Sequence, residues 1–347
     1  MFKTIVVGGL SSLTLSLVLV IGGQAQGNGQ RQGGPPAPAA PKPDNPQSLA
    51  HIDAARRLAG TDPFLKNPFD FFCIPANTRA NNANAPELEP TKIFDNVYAV
   101  GNSETTVYAV TTSDGILLFD SGYENRVESV VVPGLRQLGL DPANVKLIVL
   151  GHGHADHFGG AKYFQETFGT RIALSAADWD LIWPSNPPAN QNANQANQAK
   201  PRRDVVVAEG QPITLGDLKI TVVEIPGHTR GSLGFIFPVK DQGRTRMAGL
   251  FGGTILAVDR ITTEGLNQYV ASIAHYVAAA KTMNVEAEFQ NHPIFDGAPD
   301  KLTRLKTLKS GDTNPYVVGN DRYIRMWNIV SECIQAEVAR RPPAVAN

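Results

Sequence analysis

Six consecutive positions carry enough donor atoms to hold a metal ion. The run is His152-Gly153-His154-Ala155-Asp156-His157, three imidazoles and a carboxylate spaced by small residues. Imidazole and carboxylate both suit Zn²⁺. Four such side chains converge only where the backbone turns sharply, and Gly151 and Gly153 give it that freedom. A lone histidine is more often packed or solvated than a ligand. This chain has seven histidines, and five stand just after apolar runs that read as strands. Three follow Val145–Leu150; His228 follows Lys219–Ile225 in Pro226-Gly227-His228-Thr229; His292 follows Glu286–Gln290 in Asn291-His292-Pro293. Loops at strand ends are where a rigid scaffold presents chemistry. The chemistry implied is hydrolysis by a metal-activated water.

These residues need elements to position them. Val97–Val100, Thr106–Thr111 and Ile116–Asp120 read as strands, punctuated by Gly101, Asp114-Gly115 and Gly122. Val145–Leu150 is a mostly apolar run with several β-branched residues, as in a strand covered on both faces. Further strands are predicted over Ile172–Leu174, Ile213–Leu215, Lys219–Ile225, Leu233–Phe237, Thr245–Leu250 and Glu286–Gln290. Helices are predicted over Leu49–Leu58 (capped by Ser48), Val127–Leu138, Gly159–Phe168, Ala176–Trp183, Leu266–Met283, Asp300–Leu308 and Asp321–Arg340. Pro133 counts against the middle of the second of these. Strand clusters alternate with helices in two halves. That predicts an α/β fold of two sheets packed face to face with helices outside.

The motifs together resemble the metallo-β-lactamase superfamily, from about Ile93 to Asp296. They are the HxHxDH run, Phe119-Asp120-Ser121-Gly122, the PGHT turn followed by Gly231-Ser232, and the late His292. The resemblance implies an αββα sandwich of two mixed sheets with a site for two Zn²⁺ per chain along one edge. One ion would sit on His152, His154 and His228, the other on Asp156, His157 and His292. Asp156 would also be catalytic, orienting the nucleophile and passing a proton to the leaving atom. Asp120 and Thr229 would orient ligand imidazoles, although Thr229 reads equally well as a simple turn residue. Many members bridge the two metals with an Asp, or place a Cys, after the strand that follows PGHT. Here Leu250-Phe251-Gly252-Gly253-Thr254-Ile255 has neither, and Asp259 lies farther on. That pattern resembles the third subclass of class B β-lactamases. Thr254 and Tyr123 are candidate substrate contacts, and Trp179, Trp183 and the loop from Pro184 are candidate pocket walls.

The expected function is therefore an exported dizinc hydrolase that uses a bridging hydroxide to open a cyclic amide. A lactone or other ester hydrolase on the same site is the alternative, and a non-catalytic zinc-binding protein is the alternative from another class. A glyoxalase-type thioesterase or an RNA-processing nuclease would want the bridging Asp. A di-iron oxygen or nitric oxide reductase would want Glu in place of His154.

Composition bounds the partners. The net charge is −1 over 347 residues, with no dense Lys/Arg block, so nothing recruits nucleic acid or an anionic membrane. A small-molecule substrate remains; oligomeric state is not written in the sequence. Residues 1–25 read as a signal peptide: Lys3, an apolar run Ile5–Ile21, then Gly23 and Ala25 at small-residue cleavage positions. An uncleaved anchor is the competing reading. Gly8, Gly9, Ser11, Ser12, Thr14 and Ser16 weaken the run as a span. The expected location is periplasmic or secreted, with no stable membrane contact after cleavage. Residues 26–47 form a Gly/Gln/Pro-rich leader expected to be disordered; residues 48–90 form an extension with a short helix. Residues 91–347 form the main domain, with a low-complexity insertion at 184–200. Cys73 and Cys333 are the two cysteines, and an oxidising compartment would allow one bridge. Whether they pair or remain separate thiols is open at this level.

Overall fold

Alternating apolar side chains build two sheets from residue 91 onward. The structure is a computed structural model and describes residues 42–74, 84–185, 199–256, 258, 261–309 and 311–341. The expected signal segment, most of the leader, the middle of the insertion (186–198) and Asp259 lie outside the described residues.

An N-terminal pair of helices comes first, α1 (Pro46–Ala59) and α2 (Pro63–Cys73). The cap of α1 is Asn45, three residues before the expected Ser48; Ser48 instead completes a reciprocal capping box with it. The first sheet contains β1 (Thr91–Phe94), β2 (Val97–Gly101), β3 (Thr106–Thr112), β4 (Gly115–Phe119), then β5 (Val145–Val149) after α3 (Val132–Gln137). The chain continues through α4 (Ala155–Phe158), α5 (Ala161–Phe168), β6 (Arg171–Ser175), α6 (Ala176–Ile182) and β7 (Val205–Val207). The second sheet contains β8 (Ile213–Leu215), β9 (Leu218–Glu224), β10 (Leu233–Asp241), β11 (Arg244–Phe251) and, after α7 (Thr263–Thr282), β12 (Val285–Phe289). Helices α8 (Pro293–Asp296), α9 (Ala298–Leu305) and α10 (Asn320–Ala339) follow.

Strands β1 to β7 lie in sequence order, antiparallel up to β4 and parallel from β4 to β7. The other sheet runs β12-β11-β10-β9-β8, with only β11 and β12 parallel among its pairs. Side chains of a strand alternate between faces, and the packing follows that period. Leu117 and Phe119 of β4 enter the core between the sheets, where Phe119 meets Phe237 at 4.7 Å between ring centres. Ile116 and Leu118 point the other way, onto Val131, Leu135, Phe164 and Trp179. In β10, Phe235 and Phe237 face the first sheet, while Ile236 faces Tyr276 of α7 and Trp327 of α10. The result is the expected order of helices, sheet, sheet, helices.

The expected helix over Val127–Leu138 resolves into a 3₁₀ turn (Glu124–Arg126), a π-helical turn (Val127–Val131) and α3, which has Pro133 in its first turn. The π turn runs straight into α3, with the Val132 N–H on the Val127 carbonyl, so Pro133 stands at the junction of the two. The helix expected over Gly159–Phe168 begins at Ala161 as α5; Gly159-Gly160 form a turn that separates it from the short helix α4 of the histidine-rich segment. A Cβ on Gly159 would lie 2.3 Å from the Glu124 nitrogen, and one on Gly160 2.5 Å from the Ser121 carbonyl. The glycines let the metal-binding segment lie directly on the loop after β4. Helices α1 and α2 pack on α10, and Cys73 is bonded to Cys333. Among the described residues no helix is long and apolar enough to cross a membrane.

Candidate metal centre

Each chemistry-bearing loop leaves the end of a strand, and one carboxylate ties three of them together. Asp120, just beyond β4, has a left-handed backbone (φ 60°), which Asp tolerates better than most residues. That geometry turns its buried carboxylate inward. Oδ1 accepts from the Gly151 N–H at 2.8 Å; Oδ2 accepts from His157 Nδ1 at 2.8 Å and Asn291 Nδ2 at 3.2 Å. Asp120 thus links the loop after β4, the loop after β5 and the loop after β12.

Three rings have their tautomer set by such contacts. His157 Nδ1 donates to Asp120, His292 Nδ1 donates to the Glu104 carbonyl at 2.7 Å, and His152 Nδ1 donates to the Gly252 carbonyl. A carbonyl or carboxylate can only accept, so Nδ1 holds the proton and Nε2 keeps a lone pair. Those lone pairs face other donors. His228 Nε2 lies 3.0 Å from His152 Nε2 and 3.1 Å from His154 Nδ1. His157 Nε2 lies 3.2 Å from His292 Nε2 and 3.3 Å from an Asp156 carboxylate oxygen. Two triads result, His152/His154/His228 and Asp156/His157/His292, with donor atoms in each within 4.8 Å of one another. These are the two groupings that the resemblance implied.

The donors fit cations. Facing lone pairs at such distances repel unless positive charge sits between them. The protein's own charges say the same. Burial, then the neighbouring rings, hold His152 and His228 well below the usual imidazole range. Burial and the charge of His157 bring His292 down to about 4. Burial opposes charge on His157 too, but the Asp156 and Asp120 carboxylates outweigh it and raise it to about 10. Without a cation the two carboxylates favour a proton on Nε2 of this ring, and a bound cation would take that proton's place. Burial resists ionisation of Asp156, yet the surrounding imidazoles, led by His157, hold it far below the usual carboxylate range. Carboxylate and neutral imidazole are the ligand forms of these groups.

The two triads differ in access. Asp156, His157 and His292 are all buried, whereas His154 is exposed and His228 half-buried. The centre is therefore open to solvent on the His154–His228 side.

The segment without Asp or Cys has a physical explanation. The Gly252 carbonyl receives both His152 Nδ1 and Asn291 Nδ2. A Cβ on Gly252 would lie 2.4 Å from the Leu233 carbonyl and 2.7 Å from Gly151 Cα; one on Gly253 would lie 2.9 Å from His228 Cβ. Main chain at Gly252, and the His228 and Ser232 side chains at Gly253, fill the space a side-chain ligand would need. Thr254 is a correction: it is fully buried, and its hydroxyl bonds the Phe251 carbonyl and the Gln290 side chain, so it presents nothing to a substrate. Trp179 is likewise core, with its indole N–H on the Val205 carbonyl. Trp183 is exposed and carries Lys200 over its ring at 5.3 Å. Arg203 pairs with Asp180 at the surface. Tyr123 is half-buried; burial, then the charges of Asp156 and Glu104, push its phenol far above its ordinary value, so it stays protonated beside the second triad.

Thr229 does more than turn the chain. Its Oγ1 donates to Asp178 Oδ2 at 2.6 Å. Asp178, Asn291 and the Glu104 and Gly252 carbonyls escaped the sequence reading. Asn291 adjoins His292, which was a usable signal; Asp178 sits alone in a helix and offered none.

Fold and donor set together define the class, the scaffold of a metal-dependent hydrolase. Residues 100–241 match the family model for the metallo-beta-lactamase superfamily. Curated relatives include a hydroxyacylglutathione hydrolase of Cereibacter sphaeroides, 31% identical over 135 residues that cover 38% of this chain and 46% of that protein. The hydroxyacylglutathione hydrolase GloC of Haemophilus influenzae is 32% identical over 94 residues, covering 27% and 44%. The chain thus spans just under half the length of these curated relatives. Among solved structures, BJP-1, a subclass B3 metallo-beta-lactamase of Bradyrhizobium japonicum, superposes with a TM-score of 0.59 at 26% identity, covering 72% of this chain and 91% of that one. Native FEZ-1 metallo-beta-lactamase from Legionella gormanii gives 0.56 at 22% identity, covering 70% and 92%.

Proposed function

We propose that this chain is an exported dizinc hydrolase whose best substrate class is a β-lactam or a similarly strained cyclic amide. The observation that carries the reading is the pair of three-donor triads, one open and one buried, beside a backbone turn that excludes a bridging side chain. Two zinc ions held there would supply hydroxide near neutral pH and polarise a carbonyl. The protein's own residues do the rest. Asp120 and the Gly252 and Glu104 carbonyls hold the lone pairs of His157, His152 and His292 on target, so these three rings need not reorient during the reaction. Burial of the second triad keeps bulk water away from the reacting atoms. Asp156 has an ionised carboxylate at the heart of the cluster, placed to orient the nucleophile and carry a proton to the leaving nitrogen. Tyr123 remains a protonated donor next to it. The open face at His154 and His228 admits the carbonyl.

A second reading has its own support. The curated relatives are named for hydroxyacylglutathione, a thioester, and a metal-activated hydroxide would attack a thioester, ester or lactone carbonyl by the same route. Purified protein should be tested on a chromogenic cephalosporin, an acyl-homoserine lactone and an acylglutathione thioester. Turnover of the cephalosporin at least tenfold above the others, abolished by a chelator, supports the cyclic-amide reading. Preference for the lactone or thioester replaces it, and zinc binding with no turnover on any would leave a non-catalytic zinc protein. Export rests on the segment 1–25 and is tested by the mature N-terminus, expected at or near Gln26.

A further inference from the structure

We propose that Asp178 is the positioning residue for the first metal triad, clamping the two loops that supply its ligands. The inference rests on the reading of the triads as metal sites. Asp178 belongs to α6, outside every ligand-bearing loop, and is fully buried. Its carboxylate receives three donors from two loops. Oδ2 accepts the Gly153 N–H at 2.7 Å and the Thr229 hydroxyl at 2.6 Å; Oδ1 accepts the Gly231 N–H at 2.9 Å. Gly153 lies between His152 and His154, and Thr229 directly follows His228. One side chain therefore fixes the relative position of all three ligands of the open triad, and no residue of the buried triad donates to it.

Close packing reinforces the clamp. A Cβ on Gly231 would lie 2.8 Å from Asp178 Oδ1, and one on Gly153 would lie 3.0 Å from the Asp178 carbonyl and 3.2 Å from its Cβ. Both loops have glycine where they meet Asp178, so their backbones approach its carboxylate directly. The chemistry also calls for a carboxylate. Three donors need at least two acceptor atoms, and an Asn amide has one oxygen and an NH₂ that would face another N–H. The negative charge lies behind His154 and His228, where it also opposes the charge of a bound cation.

The expected signature is selectivity between the two metal sites. Zinc affinities of the wild type, Asp178→Asn and Thr229→Val should be measured by competition with a chromophoric chelator, with cobalt absorption spectra as a readout of ligand geometry and zinc-free thermal unfolding alongside. In Asp178→Asn the weaker-held ion should come from the first triad, with affinity falling about 10- to 100-fold. The other site should keep its wild-type affinity and its cobalt spectrum. Thr229→Val removes one of the three donors and should fall between. If both sites of Asp178→Asn weaken equally with the melting temperature, Asp178 is merely structural and the proposal fails. It fails too if both affinities are unchanged. A wild type that binds no metal would overturn the reading of the triads themselves, a result distinct from either.

Discussion

Asp120→Asn probes the geometry most sharply, because it changes one atom of the carboxylate that joins three loops. Asparagine tolerates the left-handed backbone at this position, so the main chain has no reason to move. Asp120 receives three donors on two oxygens. An Asn amide has two orientations. With its oxygen toward His157 and Asn291, the amide NH₂ confronts the Gly151 N–H, and one buried donor is left unsatisfied at a cost of about 1–3 kcal/mol. With the NH₂ toward His157, the ring must carry its proton on Nε2, which removes the lone pair a metal would use. The first orientation is therefore the one compatible with metal. Even there the ligand loses the carboxylate that raises its basicity, which weakens metal by about 10- to 100-fold. That corresponds to about 1.4–2.7 kcal/mol. Zinc titration should show the ion at Asp156/His157/His292 weakened by that factor and the ion at His152/His154/His228 retained. Thermal unfolding without zinc should report the smaller donor penalty by itself. A variant that unfolds earlier yet binds both ions with wild-type affinity would refute the reasoning, since Asp120 would then act on the fold and not on the ring.

Three further outcomes are expected. His292→Ala should lose one zinc stepwise and keep the other, with activity down by at least about 100-fold, because the second triad keeps two of its three donors; elemental analysis and turnover check this, and retention of both ions at full rate would contradict it. Buried Glu288 shares Lys301 with Asp296; burial raises it, Lys301 opposes and Asp296 adds, for a net rise from 4.5 to about 8. The folded chain then keeps a proton that the unfolded chain releases, so stability is greatest below the unfolded value and is lost as pH rises. Wild type should lose stability relative to Glu288→Gln between about pH 4.5 and 8 in urea unfolding; a pH-independent difference would contradict this. The Cys73–Cys333 bond closes a separation of 260 residues between α2 and α10. Replacing both cysteines by Ser should cost about 2–5 kcal/mol of unfolding free energy while leaving both triads able to bind zinc, and an unchanged denaturation midpoint would refute it.

The metal donors were legible because their chemistry is local. Each is a His or Asp within a few residues of a glycine or proline at the end of an apolar run, and β4 alternates its faces residue by residue. The layers could be read for the same reason: Leu117 and Phe119 face one core, and Ile116 and Leu118 the other. Short edge strands such as β7, with half-exposed Val205 and exposed Val206, carry too little pattern to stand out. Helix α2 was hidden by Pro68 in its interior. The π turn at Val127–Val131 adds a residue to one helical turn, which the periodicity of an apolar run does not report. Asp178 and the Gly252 carbonyl were invisible because their roles exist only after three distant loops meet. The misreading of Thr254 has the same origin. Proximity in sequence to the missing bridging ligand suggested exposure, while the Gly252-Gly253 turn sends that side chain into the core.

The most direct test of the dinuclear centre is the metal content of the purified mature chain, after zinc supplementation and dialysis, by elemental analysis. Two triads of three donors each should return about two zinc ions per chain. One ion, or none, would contradict the central claim.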